Sequence, residues 1–159
     1  MKSSEENVSI NLIDFIYQEN NNLNQTVTAE FEENNVSELH MHKILYLLFG
    51  LFYRKFKRDL FADANFEAWK YGPVEIDFRI AFKNKTLKGL TKFNLVLTKA
   101  EIVFLTKLTK KFLCYSPWLL VDITHASDPW SNSYNDQMIS RNKITVEEIH
   151  KNFSFVINE

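Results

Sequence analysis

Apolar positions along this chain recur mainly at helical spacing, three or four residues apart, in runs separated by polar or Asn-rich stretches. The first run places Ile10, Ile13 and Tyr17 on one face, with Leu12 and Ile16 beside them. It predicts a helix from Ser9, as N-cap, to about Asn20. Residues 20–35 break the pattern. Leu23, Val27 and Phe31 are scattered among Asn and Glu, which predicts a loop with room for one helical turn. A second helix, from Ser37 to about Lys57, carries Ile44, Leu45, Leu47, Leu48, Phe49, Leu51, Phe52 and Phe56 and is apolar nearly all round. A helix of that kind belongs at the centre of a core. Gly50 in its middle costs about 1 kcal/mol relative to Ala, which predicts close approach of another helix there.

The period changes at residue 66. Phe66, Ala68 and Lys70 alternate with Glu67, Trp69 and Tyr71, as in a strand. Gly72 then supplies a hinge, and Pro73 the first residue of a helix, where its missing N–H is harmless. Val74, Ile76, Phe78, Ile80, Ala81 and Phe82 give that helix an apolar face. Residues 83–92 read as a basic loop, and 93–97 as a second short strand pairing with 66–70. Thr98 and Glu101 form a capping box that opens a helix to about Leu113, with Ile102, Leu105, Leu108 and Phe112 as its buried stripe. Ser116-Pro117 opens another helix that reaches His125 and halts before Pro129. Residues 131–143 read as polar loop, and Thr145 with Glu148 as a second capping box before a short helix to about Phe153.

The expected fold is therefore mainly α: a compact bundle of about five to six helices around a central apolar helix, with a small two-stranded β-ribbon. At 159 residues, with no repeat or linker, the chain is expected to form a single domain over 1–159.

Composition supports a packed core. Hydrophobic residues make up 45% of the chain and aromatics 14%, too many for a disordered segment. Gly and Pro number three each, too few for the turns of an all-β fold. The single Cys114 excludes an internal disulfide, which fits a cytoplasmic location, and behind Phe112 and Leu113 it reads as a small buried thiol. The N-terminus is acidic and polar, unlike a secretory signal. The longest dense apolar run, 44–53, is about half of a bilayer span, so no membrane partner is expected.

The net charge of −1 conceals an asymmetry: residues 43–111 carry fifteen Lys and Arg against six Asp and Glu, while both flanks are acidic. A basic middle can meet an acidic partner or a phosphate backbone, or it can simply lie beside the acidic flanks in the fold.

Candidate chemistry is sparse. His40 and His42 lie two apart on a helix, about 200° around it, and no Cys pair accompanies them, so no metal is expected. Asp122 and His125 can meet on one helix, with Ser116, Ser127 and Ser131 nearby, but no Ser sits in a nucleophile elbow. With three scattered Gly there is no phosphate loop or dinucleotide fingerprint. The chain thus reads as a protein without cofactor or catalytic residues, not an enzyme. Standard nucleic-acid motifs are absent as well, which disfavours a nucleic-acid partner. Arg54, Lys55, Lys57 and Arg58 suit a helix C-terminus, with phosphate contact the lesser reading.

All three Trp and all three Pro fall in two blocks, Trp69/Pro73 and Pro117/Trp118/Pro129/Trp130. Aromatics make good interface anchors but equally good core wedges. Trp69 and Trp118 read as core, and Trp130 divides evenly.

Three stretches carry a family resemblance. Leu39-His40-Met41-His42-Lys43-Ile44-Leu45-Tyr46, continuing to Gly50 and Leu60-Phe61, is the first. Glu67-Ala68-Trp69-Lys70-Tyr71-Gly72-Pro73-Val74 is the second and most specific. Tyr115-Ser116, Leu119-Leu120, Thr124-His125 and Pro129-Trp130 make the third, followed by a tail at 144–149. Together, over residues 37–153, they resemble the SocA-like or Panacea antitoxin domain, often seen in phage-related genes. Residues 1–36 add an N-terminal helix and the Asn-rich loop.

Departures are His42 where Gln is usual, Leu51-Phe52 where Trp-His is common, and Asp59 where Pro often stands. The resemblance implies a mostly helical domain that binds and neutralises a cognate toxin protein, encoded by an adjoining gene. A homo-oligomer is compatible with it. The alternative is a phage-encoded protein of the same fold acting on a host defence or regulatory factor. Partner contacts are expected around the hinge and the third block, at Trp69, Tyr71, Gly72, Pro73, His125 and Trp130, with Arg54 and Arg58 as basic contacts.

Overall fold

The computed structural model describes residues 6–24, 36–135 and 142–153. Its organising element is helix α2 (Glu38–Phe56), in which every residue from His40 to Phe52 is buried. The all-round apolar surface demanded this. Polar residues on it must then find partners inside the protein. His40 Nε2 donates to the Phe112 carbonyl at 2.9 Å, and the Tyr46 hydroxyl is hydrogen-bonded to Ser127 Oγ. Ser37 caps α2 by accepting from the His40 N–H at 3.1 Å.

Around α2 the described chain places strand β1 (Val8–Asn11), α1 (Leu12–Asn24), β2 (Phe66–Trp69), β3 (Gly72–Glu75), α3 (Ile76–Asn84), β4 (Asn94–Leu97), α4 (Lys99–Cys114), α5 (Pro117–His125), α6 (Asp128–Ser133), β5 (Asn142–Ile144) and α7 (Val146–Asn152). Two 3-10 turns, Leu87–Gly89 and Thr91–Phe93, occupy the expected basic loop. The fold is mainly α with small antiparallel sheets, as expected.

The strands pair differently from the expected ribbon. β2 pairs antiparallel with β3 on one side and β5 on the other, while β4 pairs with β1. The alternation at 66–69 is correct, with Phe66 and Ala68 buried and Glu67 and Trp69 half-buried. Its partner is local: Lys70-Tyr71 is a two-residue turn, and Trp69 lies opposite Gly72. Pro73 therefore sits in a strand and does not start a helix. The N-cap of α3 is Glu75, whose Oε1 accepts from the Phe78 N–H at 3.0 Å.

At the N-terminus, residues 8–11 are drawn into a strand by β4, with Val8 opposite Leu97. The helix then starts at Leu12, where Asn11 Oδ1 accepts from the Asp14 N–H at 3.0 Å. It runs past the expected end at Asn20 to Asn24, and the rest of the Asn-rich stretch, 25–35, lies outside the described residues. The expected polar loop at 131–143 contributes the end of α6 and the start of β5, with 136–141 outside the described residues.

The Thr98–Glu101 capping box and the Ser116 and Thr145 caps all form. Glu148 does not close a second box, because its Oε1 accepts from Asn132 Nδ2 instead. Gly50 is closely approached, but by the ring of Phe153 after α7 and not by a helix backbone; a methyl group at Gly50 would overlap that ring. Cys114 is exposed, contrary to expectation, because it ends α4 two residues beyond Phe112, about 200° around the helix from the stripe that buries Leu105, Leu108 and Phe112.

Candidate partner-binding surface

The β2–β3 hairpin is pressed onto α2 and α5, and Gly72 is where it touches. Its φ of 104° is open to glycine and strained for other residues. A Cβ there would lie 2.7 Å from Thr124 Oγ1 and 2.8 Å from Lys43 Cε. Next to it, the Pro73 carbonyl accepts from Lys43 Nζ at 2.9 Å. Lys43 is wholly buried, and burial pushes its ammonium down to about 7, with Glu38 pulling partly the other way.

One residue earlier, His42 completes the attachment. The Glu75 N–H donates to His42 Nδ1 at 3.1 Å, and His42 Nε2 donates to Glu38 Oε2 at 3.0 Å. That pattern requires the neutral ring with its proton on Nε2. Burial accordingly lowers its pKa to about 4, against the opposing pull of Glu38. Burial pushes the Glu38 carboxyl up, but its bonds to His42 and Arg79 outweigh this and hold it below the ordinary range. Arg79 Nη1 donates to Glu38 Oε2 at 2.6 Å, and the guanidinium lies 4.8 Å over the Trp69 ring. A hollow of about 570 Å³ lies between these elements, walled by Trp69, Tyr71 and Arg79 and floored by His42, Lys43 and Val74.

The third sequence block packs against the hairpin. Trp130 Nε1 donates to the Trp69 carbonyl at 2.8 Å, joining α6 to the hairpin. His125 stacks on Trp130 at 4.1 Å, and Tyr134 stacks on it at 4.7 Å. Burial lowers the pKa of His125, with a backbone hydrogen bond to Lys70 opposing. His125 Nε2 is buried with no hydrogen-bond partner.

Six of the eight residues singled out from sequence thus come together: Trp69, Tyr71, Gly72, Pro73, His125 and Trp130. Gly72 and Pro73 are buried and shape the hairpin, and Trp130 is only 8% exposed. Arg54 and Arg58 lie at the far end of α2. Arg58 is engaged within the protein, donating to Glu101 through Nε at 2.9 Å and Nη2 at 2.5 Å.

Sequence reasoning misplaced Trp118. It is 58% exposed and packs edge-on against the half-exposed Tyr71 at 5.4 Å, with Leu119, 44% exposed, beside it. The signal was present: Leu120, Val121 and Thr124 define the buried arc of α5, and Trp118 and Leu119 fall outside it at about 100° per residue. Trp69 is half-buried, in keeping with a wedge.

The described structure is a mainly helical domain in which an exposed aromatic of the hydrogen-bonded hairpin, Tyr71, meets one of α5, Trp118. Residues 41–131 match the family model described as Antitoxin SocA-like, Panacea domain. The match covers more than half of the chain, which therefore belongs to that family. Searches of curated proteins and of solved structures returned no match. Among the described residues, no helix is long and apolar enough to cross a membrane.

Proposed function

We propose that this chain is an antitoxin that binds a cognate toxin protein directly, covers its active surface, and catalyses no reaction itself. Family membership supports the antitoxin role. The observation that carries the mode of action is the Tyr71–Trp118 pair with Leu119, three large apolar side chains exposed together. Trp and Tyr are the residue types that anchor protein interfaces, because they bury much area for little lost entropy.

The hairpin that carries Tyr71 is tied to the rest of the domain by side-chain hydrogen bonds. Lys43, His42 and Trp130 each spend a polar atom holding the hairpin in place. Those polar groups serve the scaffold and are not poised for proton transfer, which supports a binding role over a catalytic one.

The test is co-expression with the product of the adjoining gene, in the cytoplasm of a bacterial host. The wild-type chain is expected to restore growth and to co-purify stoichiometrically. Replacing both Tyr71 and Trp118 by Ala should weaken the complex at least about thirtyfold, about 2 kcal/mol, with an unchanged melting temperature. A harmless neighbour, or full rescue by the double variant, would overturn the proposal.

A further inference from the structure

The opposite end of α2 carries a different surface. Between its last turn and the first three turns of α4 lies a hollow of about 420 Å³, lined by Lys55, Phe56, Val103, Phe104, Lys107 and Leu108. Leu108 is buried, Phe56 and Phe104 are half-buried, and Val103 stands 68% exposed at the mouth. An exposed valine on the rim of an apolar hollow is poor economy for a surface that meets only water.

The rim is basic. Lys55 Nζ lies 5.2 Å over the Phe104 ring, and Lys107 flanks the other side. Among the described residues, Lys55, Lys57 and Lys107 form no ion pair, whereas Arg58 is matched by Glu101 and Lys110 lies 3.9 Å from Glu19. The charge left around the hollow is therefore positive. Lys55 stands twelve residues beyond Lys43 on α2, roughly 18 Å at 1.5 Å per residue. The hollow is thus separate from the Tyr71–Trp118 patch.

We propose that this hollow is a second docking surface, which takes an acidic amphipathic helix of a protein partner. Two helices form its walls, the arrangement into which a third helix lays its apolar face. Apolar side chains of the partner would fill the space over Phe56, Val103 and Leu108, and its carboxylates would meet Lys55 and Lys107. A nucleic acid fits less well. Its phosphates would suit the lysines, but the Phe104 face that a base would stack on is covered by Lys55.

The experiment uses the full chain and a fluorescein-labelled designed peptide, Glu-rich with Leu at helical spacing, read by fluorescence anisotropy. A scrambled peptide of the same composition and a single-stranded oligonucleotide serve as competitors. The patterned peptide is expected to bind at least about tenfold more tightly than the scrambled one, and to weaken as salt screens the lysines. Val103→Glu combined with Lys107→Glu should reduce binding at least about tenfold, and Tyr71→Ala should not change it. Both replaced side chains are exposed, so folding is retained, checked by circular dichroism; Lys55→Glu is the independent second variant.

The proposal is overturned by any of four results: no binding, equal binding of both peptides, tighter binding of the oligonucleotide, or full binding by the double variant. None of these touches the antitoxin reading, which is tested at the other end of α2.

Discussion

Lys43 is the most expensive side chain in the core, and its cost can be read out directly. Its ammonium is moved by burial from an ordinary value of 10.5 to about 7. At about 1.4 kcal/mol per tenfold change, burying it costs about 5 kcal/mol at or below neutral pH. Against this stands one hydrogen bond, to the Pro73 carbonyl, which contributes about 1 kcal/mol.

Lys43→Met keeps the volume of the stem and removes the charge. It also strands the Pro73 carbonyl, at about 1–3 kcal/mol. The variant should therefore be more stable than the wild type at about pH 7, by roughly 2–4 kcal/mol.

The sign of the pH dependence follows from the direction of the shift. Between about 7 and 10.5 the unfolded chain holds the lysine proton and the folded chain does not, so folding becomes more favourable as pH rises. From about pH 7 to about pH 9 the wild type should gain about 2–3 kcal/mol relative to the variant. Urea unfolding of both proteins at the two pH values measures this, and the difference of differences isolates Lys43. Equal pH dependence in the two proteins, or a variant much less stable than the wild type at neutral pH, would refute the reasoning. A second readout tests what the cost secures: the stabilised variant should bind the proposed toxin partner less well, because the hairpin has lost its Lys43 tie to α2.

Gly72→Ala should destabilise by about 2–3 kcal/mol, since it forces an L residue to a φ of 104° and crowds Thr124 and Lys43; chemical denaturation measures it. Gly50→Ala should displace the Phe153 ring and loosen α7, seen as faster amide exchange over 146–152 and a loss of about 1–3 kcal/mol. Lys85→Gly should raise the melting temperature, with a gain of about 1 kcal/mol, because Lys85 caps α3 in the left-handed region at a φ of 57°.

The sequence alone was enough for the central helices and four of the caps, though not for the starts of α1 and α3 or for α6. Periodicity marked α2, α4 and α5, and short-range chemistry located Ser37, Thr98, Ser116 and Thr145, because a cap is decided within about four residues. It also marked the Trp69–Pro73 and Thr124–Trp130 blocks as belonging together, through the family pattern they share.

Tertiary structure decided the pairings and the exposures. A four-residue strand carries no mark of its partner, so only the packed chain shows β2 between β3 and β5, and β4 beside β1. Local propensity favoured a helix at Pro73, and the long-range bonds from Lys43 and His42 overrode it. Whether a Trp lies in the core or on the surface depends on what packs against its helix. Trp130 found the hairpin carbonyl and was buried, while Trp118 packs edge-on against Tyr71 and stayed exposed. That difference in packing, invisible in the residue itself, is what leaves Trp118 exposed.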